Sequence, residues 1–142
     1  MKTSYFPFLL ALLFFGLTSC DKKNEPSPKC GFFVDIDKAY FNNGPDDPFT
    51  IQNVVLEGDC LTITVQYGGG CGGAAFTLVD KDVIQYTNPP SRQLRLALKD
   101  EDWCEALVTE DMIYDISPLQ VDGEDQFKLI LQGWEGELVY EF

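Results

Sequence analysis

Histidine is absent from this chain of 142 residues, and basic residues are scarce. Without histidine the chain lacks the commonest general base and the commonest metal ligand of proteins, which excludes Ser-His-Asp triads and histidine-ligated zinc or haem. The 10 lysines and arginines stand against 23 aspartates and glutamates, so the formal net charge is −13 at pH 7. Because so little cationic surface is left to displace phosphate counterions, the composition argues against nucleic acid as a partner.

Long apolar runs are also missing, except near the N terminus. There, Lys2 is followed by a nearly unbroken apolar run from Tyr5 to Leu17. A charged start, a short apolar run and small residues before a cut site are typical of a secretory signal peptide. The run is shorter than the roughly 20 apolar residues of a membrane-spanning helix. We therefore predict a signal peptide over residues 1–19 and no transmembrane helix in the mature chain.

The apolar run ends in Leu17-Thr18-Ser19-Cys20, which resembles the lipobox of bacterial lipoproteins. The resemblance implies that Cys20 becomes the first mature residue and carries a thioether-linked diacylglycerol and an N-acyl chain. Two or three acyl chains, at about 0.8 kcal/mol per buried methylene, anchor a protein stably. Residues 20–29 are polar and interrupted by proline, which predicts a flexible tether. We therefore expect a protein of the bacterial cell envelope. Its acylated Cys20 is expected to anchor it in a lipid membrane, the outer membrane.

Four cysteines remain once Cys20 is set aside: Cys30, Cys60, Cys71 and Cys104. An even number in an exported chain predicts two disulfides, with three possible connectivities. No pair has the Cys-x-x-Cys spacing of structural zinc sites and thioredoxin-like redox centres. We prefer Cys30–Cys60 with Cys71–Cys104, each closing a loop of about thirty residues. The apolar side chain of Trp103 is expected to shield the second bridge.

Alternation of apolar and polar residues dominates from residue 30 onward, which is the pattern of half-buried antiparallel strands. The clearest strands are Leu61–Tyr67, Arg92–Lys99, Phe127–Leu131 and Leu138–Phe142. Weaker ones are Phe32–Ile36, Phe49–Leu56, Ala75–Val79, Val83–Tyr86 and Met112–Ile116. Turn residues separate these segments about every ten residues. We predict that residues 30–142 form an all-β domain, an antiparallel β-sandwich of immunoglobulin-like architecture with seven to nine short strands.

One segment of this domain fits two local structures. Asp102–Glu105 has the acidic residue at each end that a capping box needs, which predicts a short helical turn. The alternation of Cys104, Ala106 and Val108 predicts a strand instead. Residues 100–109 therefore stay open between a helical turn and a strand.

The chain contains, in this order, Tyr67-Gly68-Gly69-Gly70-Cys71, Cys104-Glu105-Ala106 and Tyr114-Asp115-Ile116-Ser117-Pro118-Leu119. This arrangement resembles a group of small bacterial lipoproteins whose activity is uncharacterised. The resemblance covers about residues 55–142 and implies a lipid-anchored β domain with a Cys71–Cys104 bridge. Members often have a histidine after the glycine loop and another before Cys-Glu-Ala. This chain has Gly72–Ala75 and Lys99–Asp102 at those places, so no function of those histidines carries over.

Three groups of residues are candidates for binding. The glycine string Gly68–Gly73 is interpreted as a bulge that brings Cys71 to its partner, with an anion-binding nest as the alternative. Acidic clusters offer oxygen ligands for Ca²⁺, at Asp35, Asp37, Asp46, Asp47, Asp100-Glu101-Asp102 and Asp122-Gly123-Glu124-Asp125. A stacking platform for sugars is the alternative to a core role for Trp103, Trp134, Tyr40 and Phe41.

No catalytic residue, metal-ligand set or cofactor motif is assigned from these patterns. The lipobox, the paired cysteines and the alternating strands indicate a non-enzymatic accessory lipoprotein with a structural or binding role. The alternative is a module that binds Ca²⁺ or a glycan. A more remote alternative is a small hydrolase with two carboxylates about 5–10 Å apart across a cleft.

Overall fold

The computed structural model describes residues 26–142, so the predicted signal peptide, Cys20 and the first part of the tether lie outside the described residues. None of the helices in the described part is long and apolar enough to cross a membrane. Nine strands and two short helices follow one another along this part of the chain. They are β1 (Phe32–Phe33), β2 (Asp35–Ile36), α1 (Lys38–Asn43), β3 (Phe49–Glu57), β4 (Cys60–Gly69), β5 (Ala74–Gln85), β6 (Ser91–Asp100), β7 (Ala106–Asp115), a 3-10 helix (Ser117–Leu119), β8 (Gln126–Leu131) and β9 (Leu138–Glu141).

The strands form two mixed sheets. The first sheet has the order β1-β7-β4-β3 and the second the order β2-β5-β6-β8-β9. Three neighbouring pairs are parallel, namely β1 with β7, β2 with β5 and β6 with β8. The prediction of purely antiparallel pairing is therefore wrong, while that of a β-rich domain with seven to nine strands is confirmed, since the described residues form nine.

The parallel pairs arise where the chain changes sheets. The predicted strand Phe32–Ile36 is two short strands, because buried Val34 carries the chain from the edge of the first sheet to the edge of the second. The chain likewise leaves the second sheet after β6, forms β7 in the first sheet, and returns as β8 beside β6. A strand that returns in this way runs in the same direction as the neighbour it rejoins.

The buried faces of the strands are those that the alternation predicts. Leu61, Ile63 and Val65 of β4 are completely buried in the first sheet. Leu94, Leu96 and Leu98 of β6 and Phe127, Leu129 and Leu131 of β8 point inward from the second sheet. All of them belong to one core cluster. The two sheets therefore pack face to face around a single core.

Two local features differ from the prediction. The weak strands Ala75–Val79 and Val83–Tyr86 are one strand, β5, with a bulge between Asp80 and Ile84. Helix α1, which the sequence analysis missed, begins at the N-cap Asp37, whose Oδ1 accepts the N–H of Tyr40 at 2.9 Å. Asp37, one of the acidic candidates for Ca²⁺ binding, is therefore a helix cap.

Helix α1 covers the outer face of the second sheet. It packs against β5 and buries Phe41. Arg95 of β6, itself buried, donates Nη1 to the Phe41 carbonyl at 2.8 Å and Nη2 to the Pro45 carbonyl at 2.6 Å. One arginine thus holds both the helix and the loop that follows it.

A buried ion pair lies at the β5 bulge. The Nε and Nη2 of Arg92 bind the two carboxylate oxygens of Asp80 at 3.1 and 2.7 Å. The Asp80 side chain is 0% exposed and that of Arg92 5%. Asp80 also accepts the N–H of Asp82, and Arg92 donates to the Leu119 carbonyl. The pair therefore joins β5, β6 and the 3-10 helix inside the domain.

Candidate functional site

Two disulfides lie at opposite ends of the first sheet. Cys30–Cys60 lies at the start of β4, and Cys71–Cys104 lies just beyond its end, with Cα–Cα distances of 6.1 and 5.7 Å. This is the pairing preferred from the sequence. Strand β4 has 10 residues, which at about 3.3 Å per residue separates its ends by roughly 30 Å. The end that contains Lys29, Cys30, Asp59 and Cys60 is called the tether end below.

The opposite end carries the Trp103 loop, residues Glu101–Glu105 between β6 and β7. These residues are neither helix nor strand, and the strand begins at Ala106. The helical-turn alternative for this segment is thus wrong. Trp103 is 97% exposed, so the expectation that its side chain shields the Cys71–Cys104 bridge is wrong as well.

The Trp103 loop is held by Asp102 as well as by the disulfide. The two carboxylate oxygens of Asp102 accept the N–H groups of Cys104 and Cys71, both at 2.9 Å. The hydrogen bond from Cys104, followed by those from Cys71, Gly70 and Gly72, holds the pKa of Asp102 below its usual value. Asp102 does act as a cap, but across two loops instead of at a helix start.

The glycine string allows this close approach. Gly70, Gly72 and Gly73 have φ values of 110°, 85° and 123°, which side chains with a Cβ rarely adopt. The Gly73 carbonyl accepts the N–H of Glu101 at 3.2 Å, and a Cβ at Gly73 would lie 3.1 Å from the Glu101 backbone. Gly68 and Gly69 pair regularly with Leu107 and Ala106 at the end of β4, and Gly70–Gly73 form a loop, so the expected bulge in the strand is not present. The loop does bring Cys71 to its partner, and the Asp102 carboxylate accepts the Cys71 N–H.

An open groove of about 650 Å³ lies beside the indole of Trp103 and is lined by Asp100, Glu101 and Asp102. Asp100 accepts the N–H of Asp102 at 2.8 Å, and Glu101 pairs with Lys99 at 2.8 Å. The groove thus combines a flat apolar ring with carboxylate oxygens. Such a surface can stack on the apolar face of a sugar ring and accept hydrogen bonds from its hydroxyl groups.

The other aromatic candidates do not join this groove. Phe41 is 5% exposed beneath α1, and Tyr40 on the same helix is half-buried. Trp134 packs against the core cluster. These three side chains have the core or packing role, so Trp103 is the one member of the proposed platform with a free ring.

The acidic clusters serve mainly as acceptors for backbone N–H groups. Asp37 caps α1, Asp47 accepts the N–H of Asp100 at 2.8 Å, and Asp46 pairs with Arg95 at 3.2 Å. Asp35 is exposed on β2, and Asp122–Asp125 forms the turn before β8. Within residues 26–142, the one group of three candidate ligand residues is Cys71, Asp102 and Cys104, and its two sulfurs form a disulfide.

A polar network, not foreseen from the sequence, fixes the tether end. Asp59 pairs with the Lys29 ammonium group and accepts hydrogen bonds from the hydroxyl of Tyr140 at 2.6 Å and the amide of Gln120 at 3.0 Å. The bonds from Lys29 and Tyr140 lower the pKa of Asp59. The backbone N–H of Lys29 also donates to Asp115 at 2.6 Å. These bonds therefore fix the place at which the N-terminal segment enters the domain.

Two solved structures align with this chain. A protein of unknown function, DUF1344, from Bacteroides vulgatus aligns with a TM-score of 0.53 and 14% identity over 79% of this chain and 55% of that chain. A protein described as toxin-related from Parabacteroides distasonis aligns with a TM-score of 0.49 and 17% identity over 78% and 60%. The chain thus spans little more than half the length of these neighbours, and the first likeness shows the fold alone. No family model and no curated protein matches the chain.

Proposed function

We propose that this chain is a lipid-anchored lipoprotein of the bacterial cell envelope that binds a ligand without catalysing a reaction. The lipobox-like Leu17–Cys20 supports the anchor. The two disulfides fit an oxidising compartment outside the cytoplasm. The immunoglobulin-like arrangement belongs to the same proposal and is supported by two facing sheets around one core.

The geometry of the domain supports a role in display. The predicted tether, residues 20–29, has ten residues and would span at most about 36 Å when fully extended. The tether meets the domain at Lys29, beside Asp59 at one end of β4. Anchoring at Cys20 would therefore place the Trp103 loop at the end of the domain that is remote from the tether.

The exposure of Trp103 is the single observation that carries the binding role. A side chain of this size that is 97% exposed leaves a large apolar surface in water. Its burial against a ligand contributes about 1.5–3 kcal/mol. Because the Cys71–Cys104 bridge and the Asp102 hydrogen bonds already hold the loop, little ordering entropy is lost on binding.

The ligand class that fits this groove best is a glycan. The ring of Trp103 supplies the stacking surface, and Asp100 and Glu101 supply acceptors for hydroxyl groups at its side. These are the two kinds of contact by which proteins hold sugars.

The anchor is tested by metabolic labelling with an alkyne fatty acid in a bacterial host. The wild-type chain is expected to take up the label, and Cys20→Ser to lose it. Cys71→Ser is the matched control, since it removes a cysteine of the folded domain and leaves Cys20 in place. Label that persists in Cys20→Ser would contradict the proposed lipid anchor. It would not bear on the proposed binding site.

The binding site is tested on a glycan array with the wild type, Trp103→Ala and Tyr86→Ala. Tyr86 is 87% exposed and follows the opposite end of β5 from the Trp103 loop, so it controls for the loss of any exposed aromatic ring. We expect retention of the wild type and Tyr86→Ala and a loss of about tenfold or more in Trp103→Ala. Equal retention of all three proteins would show that Trp103 is not part of the binding site. No retention of the wild type would exclude a glycan as the ligand.

A further inference from the structure

The strand β7 has a free edge. On one side it pairs with β4 from Ala106 to Asp115. On the other side β1 pairs only with Tyr114 and Asp115. Among residues 26–142, no strand covers Ala106–Ile113 on that side. A row of unpaired backbone groups of this kind is a template for another strand.

The backbone groups on this edge can be identified. Val34 donates its N–H to the Asp115 carbonyl at 3.0 Å, so the backbone of Asp115 points toward β1. Because the direction alternates along a strand, Leu107, Thr109 and Asp111 also direct their N–H and C=O groups away from β4. The N–H groups of these three residues and their carbonyls form the free edge.

The chain before β1 turns away from this edge. A parallel continuation of β1 toward the N terminus would run along β7. Gly31, with a φ of 52°, bends the chain instead, and a Cβ there would collide with the Ile113 carbonyl. Lys29 then binds Asp59 and Asp115. The described part of the tether therefore leaves the free edge uncovered.

The charge around the free edge identifies the kind of partner. Glu105, Glu110 and Asp111 are exposed along or just before the edge, in a chain with a formal net charge of −13. Apolar groups stand at its two ends, with Leu107 74% and Ile113 39% exposed. A second copy of the chain would bring equally acidic residues against these, whereas a cationic strand would be attracted.

We propose that the free edge of β7 binds an extended, cationic segment of a partner protein as an added strand. The backbone of Leu107, Thr109 and Asp111 exchanges hydrogen bonds with the segment, which extends the first sheet by one strand. Alternate basic side chains of the segment lie on the outer face, next to Asp111. This site is separate from the groove at Trp103, so the failure of one proposal does not contradict the other.

The test uses the full chain in detergent micelles and three synthetic octapeptides as probes. The first alternates lysine and valine. The second is the same peptide N-methylated at the alternate amides that would face β7, and the third carries glutamate in place of lysine. We expect the first to bind at least about tenfold more tightly than either of the others, because only it offers both the hydrogen bonds and the charge. Hydrogen exchange of the Leu107, Thr109 and Asp111 amides should slow when it binds.

Two substitutions at one position provide a matched pair. Thr109→Pro removes an N–H that points away from β4, whereas Thr109→Ala keeps it; thermal melts establish that both variants fold. The alanine variant should bind like the wild type and the proline variant at least about tenfold more weakly. Equal binding of the N-methylated peptide would overturn the proposal without any variant. Concentration-dependent dimers that Thr109→Pro abolishes would also overturn it, since they would assign the edge to a second copy.

Discussion

Replacing Arg92 with methionine tests how much the buried ion pair contributes to stability. Methionine fills much of the same volume but leaves the Asp80 carboxylate, which is 0% exposed, without its guanidinium partner. Removing one partner of a buried pair costs about 3–5 kcal/mol. Domains of this size are stable by about 5–15 kcal/mol. The substitution should therefore remove a large part of the free energy of unfolding.

The double variant Asp80→Leu with Arg92→Met separates the buried charge from the lost contacts. It removes both charges, so no uncompensated ion stays in the core. The Asp82 N–H and the Leu119 carbonyl still lose their partners, at about 1 kcal/mol each. We expect the double variant to lose about 2 kcal/mol, less than the single Arg92→Met variant.

Urea denaturation without reductant measures the free energy of unfolding of the single and the double variant. Urea is preferred to guanidinium because it does not add salt that screens charges. Circular dichroism follows the strands, and an unchanged slope with urea indicates that the unfolding reaction is the same in all variants. A loss below about 1 kcal/mol in Arg92→Met would refute the reasoning, because it would mean that the cavity admits water to the carboxylate. A double variant less stable than the single one would refute it as well.

Three further predictions concern the two ends of the domain. Replacing Cys71 and Cys104 together by alanine opens a loop of 33 residues and should lower the free energy of unfolding by about 3.7 kcal/mol in urea titrations; an unchanged value would contradict this. Tyr140→Phe removes the hydroxyl bound to Asp59 at 2.6 Å and should cost about 1 kcal/mol in thermal melts, so a stable variant would contradict a role for the network. The fold lowers the pKa of Asp59 and of Asp102, so their contribution is present above about pH 4 and is lost as the pH falls through the lower folded values; a melting temperature that stays constant from neutral to strongly acidic pH would contradict it.

The faces of the strands follow from sequence, but their neighbours do not. The alternation in Leu61–Tyr67 and Arg92–Lys99 fixes which side chains enter the core, since every second residue points to the same face. It carries no information on which strand lies alongside. The change of sheet at Val34 and the return of β8 beside β6 depend on how the whole chain packs. The mixed parallel and antiparallel pairing could therefore not be predicted from the local alternation of apolar and polar residues.

The helix α1 was missed although its signal is present. Asp37 is an N-cap residue, and Gly44 ends the helix with its N–H on the Tyr40 carbonyl. The helix has 6 residues, too few for an apolar period of 3.6 to emerge.

The Trp103 loop shows a different limit of sequence reasoning. The sequence predicts that Asp102 caps backbone N–H groups, and in the structure it does so. The N–H groups that its carboxylate oxygens accept, however, belong to Cys71 and Cys104 on two different loops. The local sequence cannot reveal the first of these, because Cys71 lies 31 residues from Asp102 and comes close only in the folded domain, through the pairing of β4 with β7 and the disulfide. An exposed Trp103 likewise contradicts the general tendency of large apolar residues to be buried. Such departures are expected where a residue serves binding instead of stability.

Strand β4 fixes the distance between the tether end and the groove. One of its ends lies at the tether disulfide and the other leads into the glycine string, and Leu61, Ile63 and Val65 between them are completely buried. A slip of one residue would turn these side chains to the opposite face of the sheet, so the register is fixed by the core itself. The Trp103 loop therefore cannot approach the tether end without loss of the core. With the proposed lipid anchor, a ligand in the groove would lie about the length of the domain from Lys29, where the predicted tether meets the domain.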